Sequence, residues 1–321
     1  MKCRVCGQEA SIGLRAYNTA LCADDFIFFL EKRVSATIRK YHLIETGDTP
    51  IVAVSGGKDS LSVWHILNRL GYPADGIYVD LGIGDYSRTS LVKITQMAEK
   101  LQRKVYTLHV RDIFERGIDE VARAIRRVPC SACGMIKRYV MNKVCIDRDY
   151  NVLVTGHNLD DEAAALLGNL LYWKDEYLWK KSPSLESRDG HLSKKVKPLF
   201  LCSEREMAAY AVLSGIDYIY EECPFSVDAK SLEYKGILNN LEESSPGTKL
   251  QFIKGYLKRM KVGKKNDEEE RDMAYCDTCG YPCYGDKCNM CRLLERFHIE
   301  KGMDFDEYDG SSLDSTRPMV T

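Results

Sequence analysis

The sequence predicts an α/β protein: a parallel, doubly wound sheet covered by helices on both faces, with a cysteine-bearing module at each end. Three observations predict it. Ile51-Val52-Ala53-Val54 reads as a short buried strand that breaks at Ser55-Gly56-Gly57 and restarts as a helix at Lys58. From Pro50 onward, short apolar runs alternate with stretches of helical periodicity, the pattern of a sheet with ligands at the carboxyl ends of its strands. Cys-x2-Cys pairs stand near both ends of the chain.

The bulk numbers bound the answer. At 321 residues, 45% hydrophobic and 29% charged, the chain has room for one large domain or two smaller ones around a substantial core. Its apolar runs are far short of a membrane span, and Met1-Lys2-Cys3-Arg4 lacks the core of a signal peptide, so a cytoplasmic protein without a membrane partner is expected. A net charge of −1 argues against a general nucleic-acid coat, although 33–40, 123–127, 137–143, 194–197 and 254–265 are locally basic. Thirteen cysteines in such a chain point to metal or redox chemistry and not to structural disulfides.

Taken in order, residues 1–26 form an N-terminal module with Cys3, Cys6, Cys22 and Asp25 as a candidate zinc set, the carboxylate serving as fourth ligand. A helix follows over 26–41. The main domain spans 27–262, with strands expected at 51–54, 76–80, 104–110, 151–155 and 218–221. Helices are expected at 58–70, 87–101, 131–146, 159–171, 204–214 and 231–244. Ser203-Glu204-Arg205-Glu206 is a capping box for the helix at 204. Residues 263–296 read as a linker and a zinc ribbon, in which Cys276, Cys279, Cys288 and Cys291 make two knuckles and Cys283 is spare. Residues 297–321 read as a disordered tail.

The chemistry-bearing stretches fall on one rim of the expected sheet. A strand that meets two glycines before a helix aims backbone N–H groups at one spot, with no Cβ in the way and the helix dipole behind them. Lys58, Asp59 and Ser60 add a cation, a metal-capable carboxylate and a hydroxyl, which makes Ser55–Ser60 a phosphate cradle, though not a Walker A loop. After the fourth strand, Gly156-His157-Asn158-Leu159-Asp160-Asp161-Glu162 puts acids in the first turn of a helix, where the dipole favours them. Cys130 and Cys133, with Cys223 far downstream, are one thiolate short of a closed zinc site. An incomplete set suits either a catalytic cysteine pair or an iron–sulfur cluster with one open iron.

Ser-Gly-Gly-Lys-Asp-Ser after a hydrophobic strand resembles the PP-loop of the ATP pyrophosphatases, which cleave ATP between the α and β phosphates. With Cys130-Ser131-Ala132-Cys133-Gly134, Lys137-Arg138-Tyr139, Gly156–Ala163, Glu221–Pro224, Ala229–Leu232 and both end modules, almost the whole chain resembles the TtuA-type tRNA two-thiouridine synthetases. A histidine usually stands in that family where this chain has Asp25.

The resemblance implies an ATP-dependent tRNA 2-thiolation. It places ATP, with Mg²⁺, on Val54, Ser55, Gly56, Gly57, Lys58, Asp59, Ser60, Tyr78, Gly156, His157 and Asp161. It implies a 4Fe–4S cluster on Cys130, Cys133 and Cys223, with catalysis by Cys130, Cys133, Lys137 and Asp161, and two zinc sites. The implied partners are tRNA, a ubiquitin-like sulfur carrier ending in a thiocarboxylate, and a second copy in a homodimer. The T-loop ribothymidine, position 54, is the expected target. Thiolation of the wobble uridine, position 34, by the same chemistry is the rival, and a non-catalytic iron–sulfur or zinc RNA-binding protein is the rival from another class.

Overall fold

The computed structural model describes residues 1–179, 181–187, 191–226, 230–263, 274–300 and 303–311. The chain begins with an antiparallel hairpin, β1 (Ile12–Leu14) and β2 (Thr19–Leu21), in which Ile12 pairs with Leu21. It leads into α1 (Ala23–Lys40), where Phe26, Leu30, Val34 and Ile38 recur every four residues and are wholly buried, one apolar stripe on an otherwise polar helix.

Strands and helices then alternate: β3 (Pro50–Ala53), α2 (Lys58–Arg69), β4 (Asp75–Asp80), α3 (Gly84–Leu101) and β5 (Lys104–His109). After the short helices α4 (Val110–Phe114) and α5 (Ile118–Ala124) come α6 (Pro129–Asp147), β6 (Val152–Thr155), α7 (Leu159–Leu171) and α8 (Asp175–Trp179). The chain continues through β7 (Ser184–Leu185), β8 (Lys194–Val196), α9 (Glu204–Leu213), α10 (Lys230–Ser244) and α11 (Thr248–Gly263). A C-terminal ribbon of β9 (Ala274–Tyr275), β10 (Pro282–Cys283) and α12 (Asn289–Arg296) precedes β11 (Asp306–Asp309).

The main sheet runs β11-β5-β4-β3-β6-β8-β7, parallel throughout except for its two edge strands. Side-chain alternation gives each face its own core. Val52, Val54, Val152, Val154 and Val196 pack with α1, α2 and α9, while Ile51, Ile77, Val79 and Leu153 pack with α5, α6 and the ribbon. Strand order reverses at β3, so the loops after β3 and β6 open side by side at the carboxyl rim, where α/β sheets bind ligands. α7, α10 and α11 share a third apolar cluster built on Leu159, Ala163, Leu166, Leu238 and Ile253.

Three expectations change. Residues 218–221 are not a strand: Ile219 makes one backbone bond, its N–H donating to the Gly56 carbonyl at 2.9 Å, and the fifth parallel strand is β8. The expected disordered tail contains β11, which pairs with β5 from Asp306↔Thr107 to Asp309↔Lys104, because β5 would otherwise be an open sheet edge. α11 was not expected as a helix. The linker and acid run at 264–273, Ala229, and the tail from 312 onward lie outside the described residues.

Candidate active site and metal clusters

Gly56 lies at φ +77°, and a Cβ there would stand 2.8 Å from the Ser90 Cα, so only glycine fits this turn without strain. Gly156 is packed as closely: a Cβ on it would meet the Ser60 nitrogen at 2.8 Å, which seats the β6 loop on the first turn of α2. The Ser60 hydroxyl accepts from the Ser55 N–H at 3.1 Å and donates to the Gly57 carbonyl at 3.0 Å, fixing the curl of the loop. No side chain caps α2, whose first N–H groups therefore face the rim. A Cβ on Gly57 would touch only the Ser55 Oγ, at 3.6 Å, so space remains in front of the helix. That is the geometry of an anion cradle.

Around it runs an alternating chain of charges. The Lys58 ammonium lies 3.2 Å from Asp59 and 2.9 Å from Glu204 of α9. Glu204 in turn meets Lys235 of α10 at 3.2 Å, and Lys235 meets Asp161 at 2.7 Å. Asp161 also accepts from the Asn158 N–H at 3.1 Å and so completes a capping box on α7. Burial pushes the Asp59 carboxyl up to about 6, against the pull of Lys58 and with Asp161 and Glu204 adding to the rise. Its Oδ1 is buried with no hydrogen-bond partner among the described residues. A buried carboxylate oxygen without a donor, beside an anion cradle, fits a hard divalent cation such as Mg²⁺.

Val54 is buried, and its N–H donates to the Ile77 carbonyl at 2.9 Å. Tyr78 is buried too, its hydroxyl donating to the Ser87 carbonyl at 3.3 Å, so only its backbone is left for a nucleotide. His157 lies beside the cradle loop with Nδ1 3.0 Å from the Thr155 hydroxyl.

Cys130 and Cys133 stand in the first two turns of α6, which Pro129 opens at the position where a missing N–H is harmless. The Cys130 thiol donates to the Phe225 carbonyl at 3.0 Å, tying α6 to the Cys223 loop across 95 residues. Burial pushes the Cys133 thiol up; Lys137 beside it opposes that rise, and Cys223 and Cys130 add to it. Tyr86, on α3, is held up by burial and then by the charges of Cys223 and Cys133. Tyr86 and Ser90 are one helical turn apart, so α3 closes on the cradle with Ser90 and turns Tyr86 toward the field of Cys223 and Cys133. Among the described residues the three thiols do not form a set within 4.8 Å of one another, as the terminal sets do. A cluster larger than one ion suits that wider spacing.

The terminal sets are tight. In Cys3, Cys6, Cys22 and Asp25 the ligand atoms all lie within 4.8 Å of one another, with Asp25 Oδ2 3.1 Å from both the Cys3 and Cys22 sulfurs. Cys276, Cys279, Cys288 and Cys291 meet the same limit. Cys22 caps α1 and Cys288 caps α12, so each helix start delivers ligands from its first turn. Four thiolates, or three thiolates and a carboxylate, in one small volume fit a zinc ion. Cys283 stays outside its set, bonded to the Gly285 carbonyl at 3.1 Å. Cys145 and Cys202 are buried in the cores.

Sequence reading missed Glu204, Lys235 and Tyr86. The capping box pointed at Glu204 only as a helix start; nothing in sequence spacing marks the other two. It also missed the buried pair of Asp160 and Lys249, in which Asp160 further accepts the Glu204 N–H at 2.8 Å and so locks α7, α9 and α11 together.

Comparison with known proteins places this geometry. The family model described as a PP-loop domain matches residues 30–224, and that of the N-terminal LIM domain of the 2-thiouridine synthetase TtuA matches residues 2–27. The tRNA-5-methyluridine(54) 2-sulfurtransferase of Thermus thermophilus is 42% identical, over 92% of this chain and 91% of its own length. The protein of the same name from Pyrococcus horikoshii is 42% identical over 91% of this chain and 93% of its own. Among solved structures, the U34-tRNA thiolase NcsA from Methanococcus maripaludis, with its 4Fe–4S cluster, superposes with a TM-score of 0.78 at 27% identity, covering 95% of this chain and 99% of that one.

Proposed function

This chain belongs to the PP-loop family of tRNA 2-sulfurtransferases, and on that premise we propose that it replaces the C2 oxygen of a tRNA uridine by sulfur, using ATP. The observation that carries the reading is the bridge made by α3. Ser90 closes on the Gly56 turn, and Tyr86, one turn earlier on the same helix, feels the charges of Cys223 and Cys133, which supports a reading in which cradle and thiols serve one site at the rim.

The backbone N–H groups of residues 57–60 hold the phosphates, with Lys58 beside them and Asp59 positioned to hold Mg²⁺. The uridine C2 oxygen attacks the α phosphorus, pyrophosphate leaves, and the former carbonyl oxygen becomes part of an AMP leaving group. A sulfide sulfur then bonds to C2 while the C2–O bond breaks, and AMP departs with the uridine's oxygen. A 4Fe–4S cluster on Cys130, Cys133 and Cys223 would supply that sulfur through an iron that no cysteine occupies. Lys137 favours the ionised form of Cys133, the form that binds metal. Asp161 orders the α7 start and holds Lys235 over the rim.

The reading includes zinc in both terminal sets, a homodimer, a cytoplasmic setting, and a ubiquitin-like carrier that brings sulfur as a thiocarboxylate. No described helix is long and apolar enough to cross a membrane. Position 54 is the target favoured here, because the relatives at 42% identity carry it in their names. The rival, position 34, is named for the structural neighbour at 27%. Nucleoside mass spectrometry of tRNA from a strain lacking the gene decides. Loss of the 2-thio form of 5-methyluridine at position 54 supports the reading, and loss at 34 alone selects the rival. Unchanged thionucleosides would sink both.

A further inference from the structure

Resting on that reading, we propose that Arg138 of α6 and Lys195 of β8, with Lys197 beside them, form a phosphate-gripping track for the RNA substrate between the rim and the C-terminal ribbon. The placement comes from the sheet. Lys195 pairs with Leu153 of β6, and Leu153 packs with Ile136, Tyr139 and Val140, so the Lys195 stem shares the α6 face. α6 grips the approach to β8 directly: Asn142 donates to the His191 carbonyl at 2.8 Å and accepts from the Ser193 N–H at 2.9 Å.

The charges there are not balanced. Lys181 and Lys197 share one carboxylate, Glu162, 2.9 Å from each. Among the described residues, no acid lies within ion-pair distance of Arg138 or Lys195. Burial, followed by Lys197 and Arg138, pushes the Lys195 ammonium down, so the cluster repels itself until an anion enters it. Burial and then Lys197, with Lys195 adding to it, push the His157 imidazole down, so the track starts beside the nucleotide loop and continues on the α6 face of the sheet. The ribbon extends the track. Tyr281 packs against Tyr139 with ring centres 5.0 Å apart and planes tilted by 41°, and Tyr284 is 66% exposed. Unpaired cations, with an exposed ring on the neighbouring ribbon, suit an RNA strand, whose phosphates take the charge and whose bases stack.

The test is tRNA binding by the full-length protein as a function of salt. Arg138→Gln with Lys195→Gln should weaken binding about tenfold or more and flatten the slope of log affinity against log salt by about 1.5, two phosphate contacts being lost. The charge-preserving Arg138→Lys with Lys195→Arg should keep the slope, which separates the electrostatic role from damage to the fold. Lys143→Gln, on the same helix but paired with Asp147 at 2.8 Å, should leave it unchanged. Calorimetric ATP affinity should stay at the wild-type value in the double Gln variant. Wild-type tRNA binding with an unaltered slope in that variant overturns the track while leaving the function intact. Loss of binding to a protein partner, with tRNA affinity unchanged, also overturns it. A wild-type protein that binds no tRNA overturns the functional reading and the track with it.

Discussion

Lys235 crosses from α10 to place its ammonium 2.7 Å from the Asp161 carboxylate, joining two helices 74 residues apart at the mouth of the cradle. The two side chains are only 20% and 30% exposed, so the contact is shielded more than a surface pair would be. Asp161 and then Glu204 hold the Lys235 ammonium strongly in its charged form, against the burial that opposes it. Replacing Lys235 by Met should cost about 1–3 kcal/mol, because two acids are left facing each other without their shared cation. A double-mutant cycle with Asp161→Asn, which keeps a side chain able to cap α7, should return a coupling of about 1 kcal/mol or more in thermal or urea unfolding. Additive losses would mean that the pair does not work as a unit.

Asp59 makes the opposite prediction about stability. Its folded-state carboxyl is raised from the ordinary 3.8 to about 6, chiefly by burial, so the fold prefers the protonated form. Ionising it costs stability as pH rises from 3.8 through 6, and the cost is complete above 6. In the absence of nucleotide, Asp59→Asn should therefore be more stable than wild type at pH 8, by about 1–3 kcal/mol, with the gain gone below pH 4. The same variant should lose Mg²⁺-dependent ATP binding. Urea midpoints at the two pH values check this, and a variant less stable than wild type at pH 8 would refute it.

The sequence told the two parts of this site apart unevenly, and the reasons are physical. β3, β4, β5 and β6 were legible because strands buried on both faces are nearly continuous apolar runs. β8 was not, since Lys194-Lys195-Val196 carries two half-buried lysines and one apolar residue, too little for an apolar run. Tyr218-Ile219-Tyr220 has the composition of a strand, yet it braces the Gly56 turn through one bond and joins no strand among the described residues. The cysteine sets could be read from spacing because a metal fixes ligand geometry locally. Lys235 and Tyr86 could not, because their roles arise only when α10 and α3 dock on the rim.

Two glycines in the cradle should separate folding from binding. Gly156→Ala puts a methyl 2.8 Å from the Ser60 nitrogen and 2.9 Å from the Asp59 carbonyl carbon, backbone atoms that cannot step aside. It should destabilise by about 1–3 kcal/mol and abolish ATP binding. Gly57→Ala meets only the Ser55 Oγ at 3.6 Å. Its unfolding midpoint should stay close to wild type, while its methyl occupies the space in front of α2 and weakens ATP at least tenfold by calorimetry. Wild-type ATP affinity in Gly57→Ala would place the phosphates elsewhere.

Iron binding should depend on Cys223 and not on Cys145. Cys130 is tied to the Cys223 loop through Phe225, whereas Cys145 is 1% exposed in the core and burial pushes its thiol up to about 11. Anaerobically prepared protein should be brown. Cys223→Ala should lose that colour and its iron, while Cys145→Ala should keep both and give up about 1 kcal/mol of stability. A colourless wild type that still thiolates tRNA without oxygen would point to a persulfide on Cys130 or Cys133 instead.

Asp25 gives the sharpest test of the N-terminal module, because this one carboxylate contacts both Cys3 and Cys22 at 3.1 Å. If the set holds zinc, those sulfurs bind as thiolates, and Asp25 completes a four-coordinate shell. Metal analysis of wild type should return about two zinc ions per chain, one for each terminal set. Asp25→Ala should reduce the count to about one on mild chelation, since three ligands remain where four stood. Asp25→His restores a fourth donor from the same first turn of α1 and should return the count to two. The C-terminal set, with four thiolates, should release its ion last in every variant. A count unchanged by Asp25→Ala under chelation would show that the carboxylate only hydrogen-bonds the thiols, and that three cysteines suffice or hold no metal.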